Sequence, residues 1–155
     1  MALALSILAL LATFYQLYLQ RSHDEKSVKP LAQIDLMDCD GTLYIHVQNN
    51  GVGPLIVDKL IFIKEQQSYA RIEDGLTIDP RTYNHIEITD TNKKVVIPGG
   101  FLEVFSKTFD GKDDKANIDL FRQQLSGLHL KVEGRDIYNN KIAIEKSLHW
   151  FARHN

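Results

Sequence analysis

The residues able to do chemistry are few and scattered. Six histidines stand at His23, His46, His85, His129, His149 and His154, and none forms a His-x-x-x-His or Glu-x-x-His pair on a helix. His149 and His154 are five apart near the C-terminus, and His46 and His129 fall on predicted outward strand faces. Solvated histidines rather than a metal site are therefore expected. The one cysteine, Cys39, excludes an intrachain disulfide framework and a multi-cysteine zinc site. It lies between Asp38 and Asp40, whose negative charge disfavours a thiolate and makes it a poor nucleophile. The glycine-rich stretches Asn49-Asn50-Gly51-Val52-Gly53-Pro54 and Ile97-Pro98-Gly99-Gly100 lack the Lys-Ser/Thr that completes a phosphate-binding loop, and read as turns. The run Lys107 to Lys115 mixes both signs and reads as a solvated loop. Arg71, Arg81, Lys93 and Lys94 would make an anion-binding surface only if the fold gathers them.

One stretch is sharper. Asp38-Cys39-Asp40-Gly41-Thr42-Leu43 resembles the first motif of haloacid-dehalogenase-type phosphatases, Asp-x-Asp-Gly-Thr-Leu. The resemblance implies Asp38 as the nucleophile on phosphorus, Asp40 as general acid/base and Mg²⁺ nearby. Thr89, Lys107 and Asp113-Asp114 would be assigned to the later motifs. The surrounding sequence argues otherwise. That family needs a buried parallel strand before the motif and βα units after it. Here Ile34-Asp35-Leu36-Met37 is short, the residues after Thr42 alternate as a strand, and one soluble helix is too few to cover a doubly wound sheet. A polar turn is the preferred reading, with the phosphatase kept as an alternative.

The elements that must position these residues begin with an apolar stretch. The first 20 residues contain no Asp, Glu, Lys, Arg or His. Ala2 to Leu19 as a helix is about 27 Å long, against a hydrocarbon core about 30 Å thick. Only Ser6, Thr13 and Gln16 are polar within it, and Tyr15 and Tyr18 lie near one end, as interfacial aromatics do. A cleaved signal would need a basic n-region and a small-x-small site, and neither is present. The stretch predicts an uncleaved transmembrane helix over residues 1–19, with a linker over 20–30 that ends in Pro30. Arg21, Lys26 and Lys29 follow the span, which places the rest of the chain on the cytoplasmic side of a cell inner membrane. Ala2, Ser6, Ala9 and Thr13 recur at steps of 4, 3 and 4 and share one face. Small residues let helices approach closely in lipid, so this face predicts homo-oligomerisation.

Residues 31–155 predict one mostly β domain. Leu43, Ile45 and Val47 alternate with Tyr44, His46 and Gln48. The Asn49–Pro54 turn leads to the apolar run Leu55 to Lys64; Gly51 and Gly53 would permit positive φ, and Pro54 would open the next strand. Tyr69–Ile72 and His85–Ile88 read as short strands. The stretch from Phe101 alternates, but which face is buried is left open. Asp113 to Leu125 predicts one helix with Ile118, Phe121 and Leu125 on one face and Asp113 or Asp114 as its cap. Leu128–Val132 and Ile142–Ile144 form a hairpin about Asp136–Asn140, and Trp150 and Phe151 would cover one end of the core. Six to eight short strands predict a β-sandwich. The stretch from Leu43 to Ile63 resembles the strand, Asn-x-Gly-x-Gly-Pro turn, strand module of small bacterial single-pass membrane-anchored proteins with an immunoglobulin-like sandwich. The stretch from Leu128 to Ile142 looks like their late strand. The resemblance implies an immunoglobulin-like all-β architecture and no activity.

Across its 155 residues the chain is 44% hydrophobic and 25% charged with a net charge of -2, which disfavours disorder and a dedicated nucleic-acid binder. The reading is a non-enzymatic membrane effector that binds a protein or small ligand, with no cofactor, metal or catalytic residue. The alternatives are a structural subunit of an envelope complex or pilin-like assembly, and the phosphatase.

Overall fold

The computed structural model describes residues 2–111 and 115–154. Helix α1 covers Ala2–Ser27, eight residues beyond the apolar stretch. The expected linker over 20–30 is thus mostly helical and shrinks to residues 28–31. The cause is local: Gln, Arg, Glu and Lys are good helix formers. Arg21 pairs with Glu25 one turn on, at 3.2 Å. Helical backbone then stops short of Pro30, since the residue before a proline avoids the α region.

Nine strands follow among the described residues: β1 (Ala32–Cys39), β2 (Thr42–Asn49), β3 (Leu55–Lys64), β4 (Gln67–Tyr69), β5 (Asn84–His85), β6 (Lys94–Val96), β7 (Phe101–Thr108), β8 (His129–Arg135) and β9 (Lys141–Ser147). A single turn of helix, α2 (Ile72–Gly75), separates β4 from β5, and α3 (Lys115–Ser126) separates β7 from β8. Ile72 therefore lies in α2 rather than a strand, and the strand expected from His85 to Ile88 ends at His85. The proposed caps Asp113 and Asp114 lie outside the described residues. One sheet has the order β1-β2-β7-β5; the other runs β4-β3-β8-β9, with β6 also pairing β3. All described strand pairings are antiparallel. The two sheets face one another as a β-sandwich around one apolar core, with Leu43, Ile45 and Val47 of β2 against Val57, Leu60 and Phe62 of β3 and Leu130 and Val132 of β8.

Two bulges explain why alternation is hard to read from the chain. Opposite Ile45/His46 the register shifts, so consecutive Val104 and Phe105 of β7 are both fully buried. No single face of that strand is the core face. A second shift at Val57/Lys59 displaces Asp58 from the ladder, moving β3's buried positions from Leu55 and Val57 to Leu60 and Phe62. The displaced carboxylate meets Lys93 at 3.0 Å and Arg135 at 3.6 Å.

α3 buries Phe121 and Leu125, and it packs against the C-terminal 3-10 helix Leu148–His154, whose Leu148 and Phe151 are fully buried. A bidentate ion pair fixes α3 to the end of β1. Arg122 Nη2 donates to Asp38 Oδ1 at 2.7 Å and Nε to Oδ2 at 2.9 Å, while Nη1 reaches Asp119 at 3.1 Å. The Asp38 side chain is 5% exposed, so removing one side of the bidentate pair is costly. Asp38→Asn should lower stability by about 2 kcal/mol. In thermal melts of the full chain, Arg122→Gln should cost a similar amount, and the double variant should cost clearly less than the two singles together.

Candidate functional site

Asp38-Cys39-Asp40-Gly41 leads into a two-residue hairpin. Cys39 pairs with Thr42, and Asp40 and Gly41 both take positive φ, 50° and 71°, as a type I′ turn requires. The chain enters the turn on an antiparallel strand and leaves it on another. The parallel strand followed by a helix that the phosphatase resemblance demands is not the local structure. The carboxylate assigned there as nucleophile is held by Arg122 instead. Asp-Gly is thus a turn signal here. Of the residues assigned to the later motifs, Lys107 stands on β7 rather than in a loop, with Nζ 5.3 Å from the centre of the Phe109 ring. Thr89 closes a small turn with Asn92, and Asp113-Asp114 lies outside the described residues. Cys39 is exposed. Its thiol is pushed up chiefly by a hydrogen bond to the Asp40 side chain and by the Asp40 charge, with Asp38 a smaller contributor.

Two of the four basic residues Arg71, Arg81, Lys93 and Lys94 are held by carboxylates. Arg71 pairs with Glu73 at 3.0 Å and with Asp74 at 3.3 Å, and Lys93 is held by Asp58. Sequence reasoning missed the cluster that Arg71 joins. Glu73 on α2 also meets His85 Nε2 of β5 at 3.1 Å, so one carboxylate clamps α2 to the sheet edge. The spacing between Glu73 and His85 carries no signal for this. Among the described residues no three His, Cys, Asp or Glu side chains gather in a metal-binding arrangement.

His46 does not stand free on the sheet surface. Its ring lies between Tyr44, at 3.9 Å between centroids, and Phe101, at 4.3 Å, both nearly parallel. Stacking of this kind adds to the area it buries. The side chain is 14% exposed, and Nε2 faces Glu103 at 3.8 Å, beyond hydrogen-bond distance. Burial pushes the imidazole below its ordinary value, and the charges of Glu103 and Asp35 only partly offset this.

The most developed constellation is the junction between α1 and the sandwich. Asn49 is fully buried at the end of β2. Its Oδ1 accepts from Leu31 N and Gly51 N, both at 3.1 Å, and its Nδ2 donates to Gly53 O at 2.7 Å and Val96 O at 3.0 Å. Two donors and two acceptor positions are all the amide has. One side chain therefore ties the linker, the β2–β3 turn and β6 together. The backbone repeats the link: Asn50 N donates to Leu31 O at 2.8 Å and Gly99 N to Asn49 O at 2.8 Å. Gly51 and Gly53 act by close approach rather than by the expected positive φ. A Cβ on Gly51 would overlap Leu31 N and Lys29 O, and one on Gly53 would overlap Val28 O. The positive-φ glycines among the described residues are Gly41 and Gly99. Pro54 sits immediately before β3, where no ladder donor is lost.

The face formed by Ala2, Ser6, Ala9 and Thr13 lies on the exposed α1. Ser6 Oγ donates to Ala2 O at 3.0 Å and Thr13 Oγ1 to Ala9 O at 2.9 Å. Both hydroxyls are satisfied within the helix, as is common for Ser and Thr in apolar helices. This is the one helix among the described residues long and apolar enough to cross a membrane.

No family model matches the chain, and no curated protein matches it.

The junction and the stacked histidine each give a measurable consequence. Asn49→Ala orphans four polar groups and should cost about 3 kcal/mol. Gly53→Ala should also destabilise, whereas Gly99→Ser, where a Cβ meets nothing among the described residues, should lose less, through its positive φ alone. For His46, the native state favours the neutral ring, so the unfolded chain binds more protons below about pH 6.5. Its contribution is fully present above that pH and is lost as pH falls toward the lowered native value. His46→Phe keeps the stack without the titration, and should flatten the fall in melting temperature as pH drops below about 6.5. An imidazole titration by NMR should give His46 a value below its ordinary one.

Proposed function

We propose that the chain is a single-pass, membrane-anchored binding protein without enzymatic activity. In this reading α1 sits in the cell inner membrane with the sandwich in the cytoplasm, and the protein acts as an effector by binding a protein or small ligand and self-associating. The observation that carries it is the stiff junction at Asn49. A flexible linker would uncouple an apolar helix from its domain. Here one buried amide fixes Leu31 to the turn and to β6, so an event on the sandwich reaches the helix without an intervening hinge.

Other features support the reading. The small face of Ala2, Ser6, Ala9 and Thr13 has its hydroxyls turned onto the helix backbone, leaving a shallow strip suited to close helix packing. Arg21, Lys26 and Lys29 follow the apolar stretch, as on cytoplasmic flanks. The order β1-β2-β7-β5 against β3-β8-β9 corresponds to the ABED and CFG sheets of an immunoglobulin-like sandwich. In that correspondence β4 and β6 are additions at the outer edge of β3, and α3 is an insertion before β8.

The test is sidedness. Single cysteines placed by Ser68→Cys and Ser147→Cys in a Cys39→Ser background should react with a membrane-impermeant maleimide only after cell lysis. Labelling in intact cells would put the sandwich outside and make a structural subunit of the envelope the better reading.

A further inference from the structure

The strand registers bring four connections to one end of the sandwich: the linker from α1, residues 50–54, residues 97–100 and residues 136–140. Exposed apolar side chains collect there. Leu31, Val52, Ile97 and Phe101 are each at least 60% exposed, and Ile137 and Tyr138 stand out from the β8–β9 turn. Among the described residues outside α1, the other large exposed apolar side chains are Val95, on β6 two residues before Ile97, and Leu120 on α3. Scattered exposed hydrophobes are ordinary, but a concentration at one pole marks a contact surface. The opposite pole turns on Asp40-Gly41 and Glu65-Gln66.

A second observation lies at the same pole. A cavity of about 300 Å³ opens between the last turns of α1 and the β8–β9 turn, and Lys26, Lys29 and Lys141 line it with Ser22, Glu25 and Asp136. Both carboxylates are engaged. Glu25 accepts from Arg21. Asp136 accepts from Tyr138 N, Asn140 N and Asn140 Nδ2 at 2.8–2.9 Å. None of the three lysines is within ion-pair distance of a carboxylate among the described residues. The depth also fits. Ser22 is about 4.5 Å past Leu19 along the helix and Lys26 about 10 Å, while a headgroup layer is about 5–7 Å thick. Lysine stems extend back toward that layer.

We propose that this pole is a membrane-docking face: its apolar rim seats in the bilayer interface, and the lysine pocket takes the phosphate of an anionic lipid headgroup. The inference rests on the membrane-anchored reading above. It means that the sandwich lies against the bilayer rather than swinging free, and that the lipid composition of the leaflet sets its tilt.

The experiment uses the full chain, with Cys39→Ser, in vesicles of phosphatidylcholine alone or with added phosphatidylglycerol, and a quencher on the lipid headgroups. A fluorophore at Tyr138→Cys should be strongly quenched and one at Asp40→Cys should not. Added phosphatidylglycerol should deepen quenching at 138 and be enriched around the protein. Lys29→Gln with Lys141→Gln should weaken that enrichment about tenfold or more, whereas Lys64→Gln with Lys115→Gln, an equal change in charge with Lys64 beside the opposite pole, should leave it intact. Retention in the vesicles without selective quenching at 138, or enrichment indifferent to Lys29 and Lys141, overturns this inference alone. Extraction of the chain by alkaline carbonate overturns the anchored reading and this inference together. Loss of the enrichment on adding inorganic phosphate, but not sodium chloride of equal ionic strength, assigns the pocket to free phosphate and overturns the lipid assignment.

Discussion

The side-chain amide of Asn49 organises the junction end of the molecule. It sits fully buried where β2 ends, and its four hydrogen bonds reach the linker, the following turn and β6. A buried amide left partly unpaired is costly, so this geometry holds only when all three segments are in place. That mutual requirement makes the junction stiff. It also explains Gly51 and Gly53, since the turn must lie directly on the linker backbone and side chains there would push it away.

Elsewhere polar side-chain contacts do the fastening that short strands cannot. β5 has two residues and α2 four, too few for either to stand on its own hydrogen bonds. Glu73 joins them through His85 and is itself held by Arg71. α3 is joined to the β1–β2 hairpin through Arg122 and Asp38, and the bulged Asp58 is met by Lys93 and Arg135. Glu73–His85, Asp38–Arg122 and Asp58–Arg135 each join two different elements, so each fixes two parts of the fold relative to one another.

The two poles of the sandwich differ in chemistry as well as in position. The hairpin turns far from α1 are built from Asp, Gly, Glu and Gln, with positive φ at Asp40, Gly41, Glu65 and Gln66. The pole beside α1 carries the apolar rim and the lysines. The two ends of the sandwich are therefore chemically distinct.

Much of the architecture is legible in the chain itself. The apolar stretch ending at Leu19, the β2 alternation, the β3 run, the face of α3 and the hairpin about Asp136 all rest on periodicity and turn chemistry, which act between near neighbours. The Asp40-Gly41 turn is legible for the same reason, and so is its conflict with a phosphatase motif. The tertiary structure alone decides the bulges, because an extra residue changes the phase of a strand only relative to its partner. It also decides the role of Asn49, whose partners Leu31 and Val96 come from distant parts of the sequence. The stacking of His46 against Phe101 and the pairing of Asp38 with Arg122 are hidden in the sequence for the same reason. Local sequence sets which backbone shapes are favourable, whereas the partner of a buried polar group is set by which distant segments the packed core brings within hydrogen-bond reach.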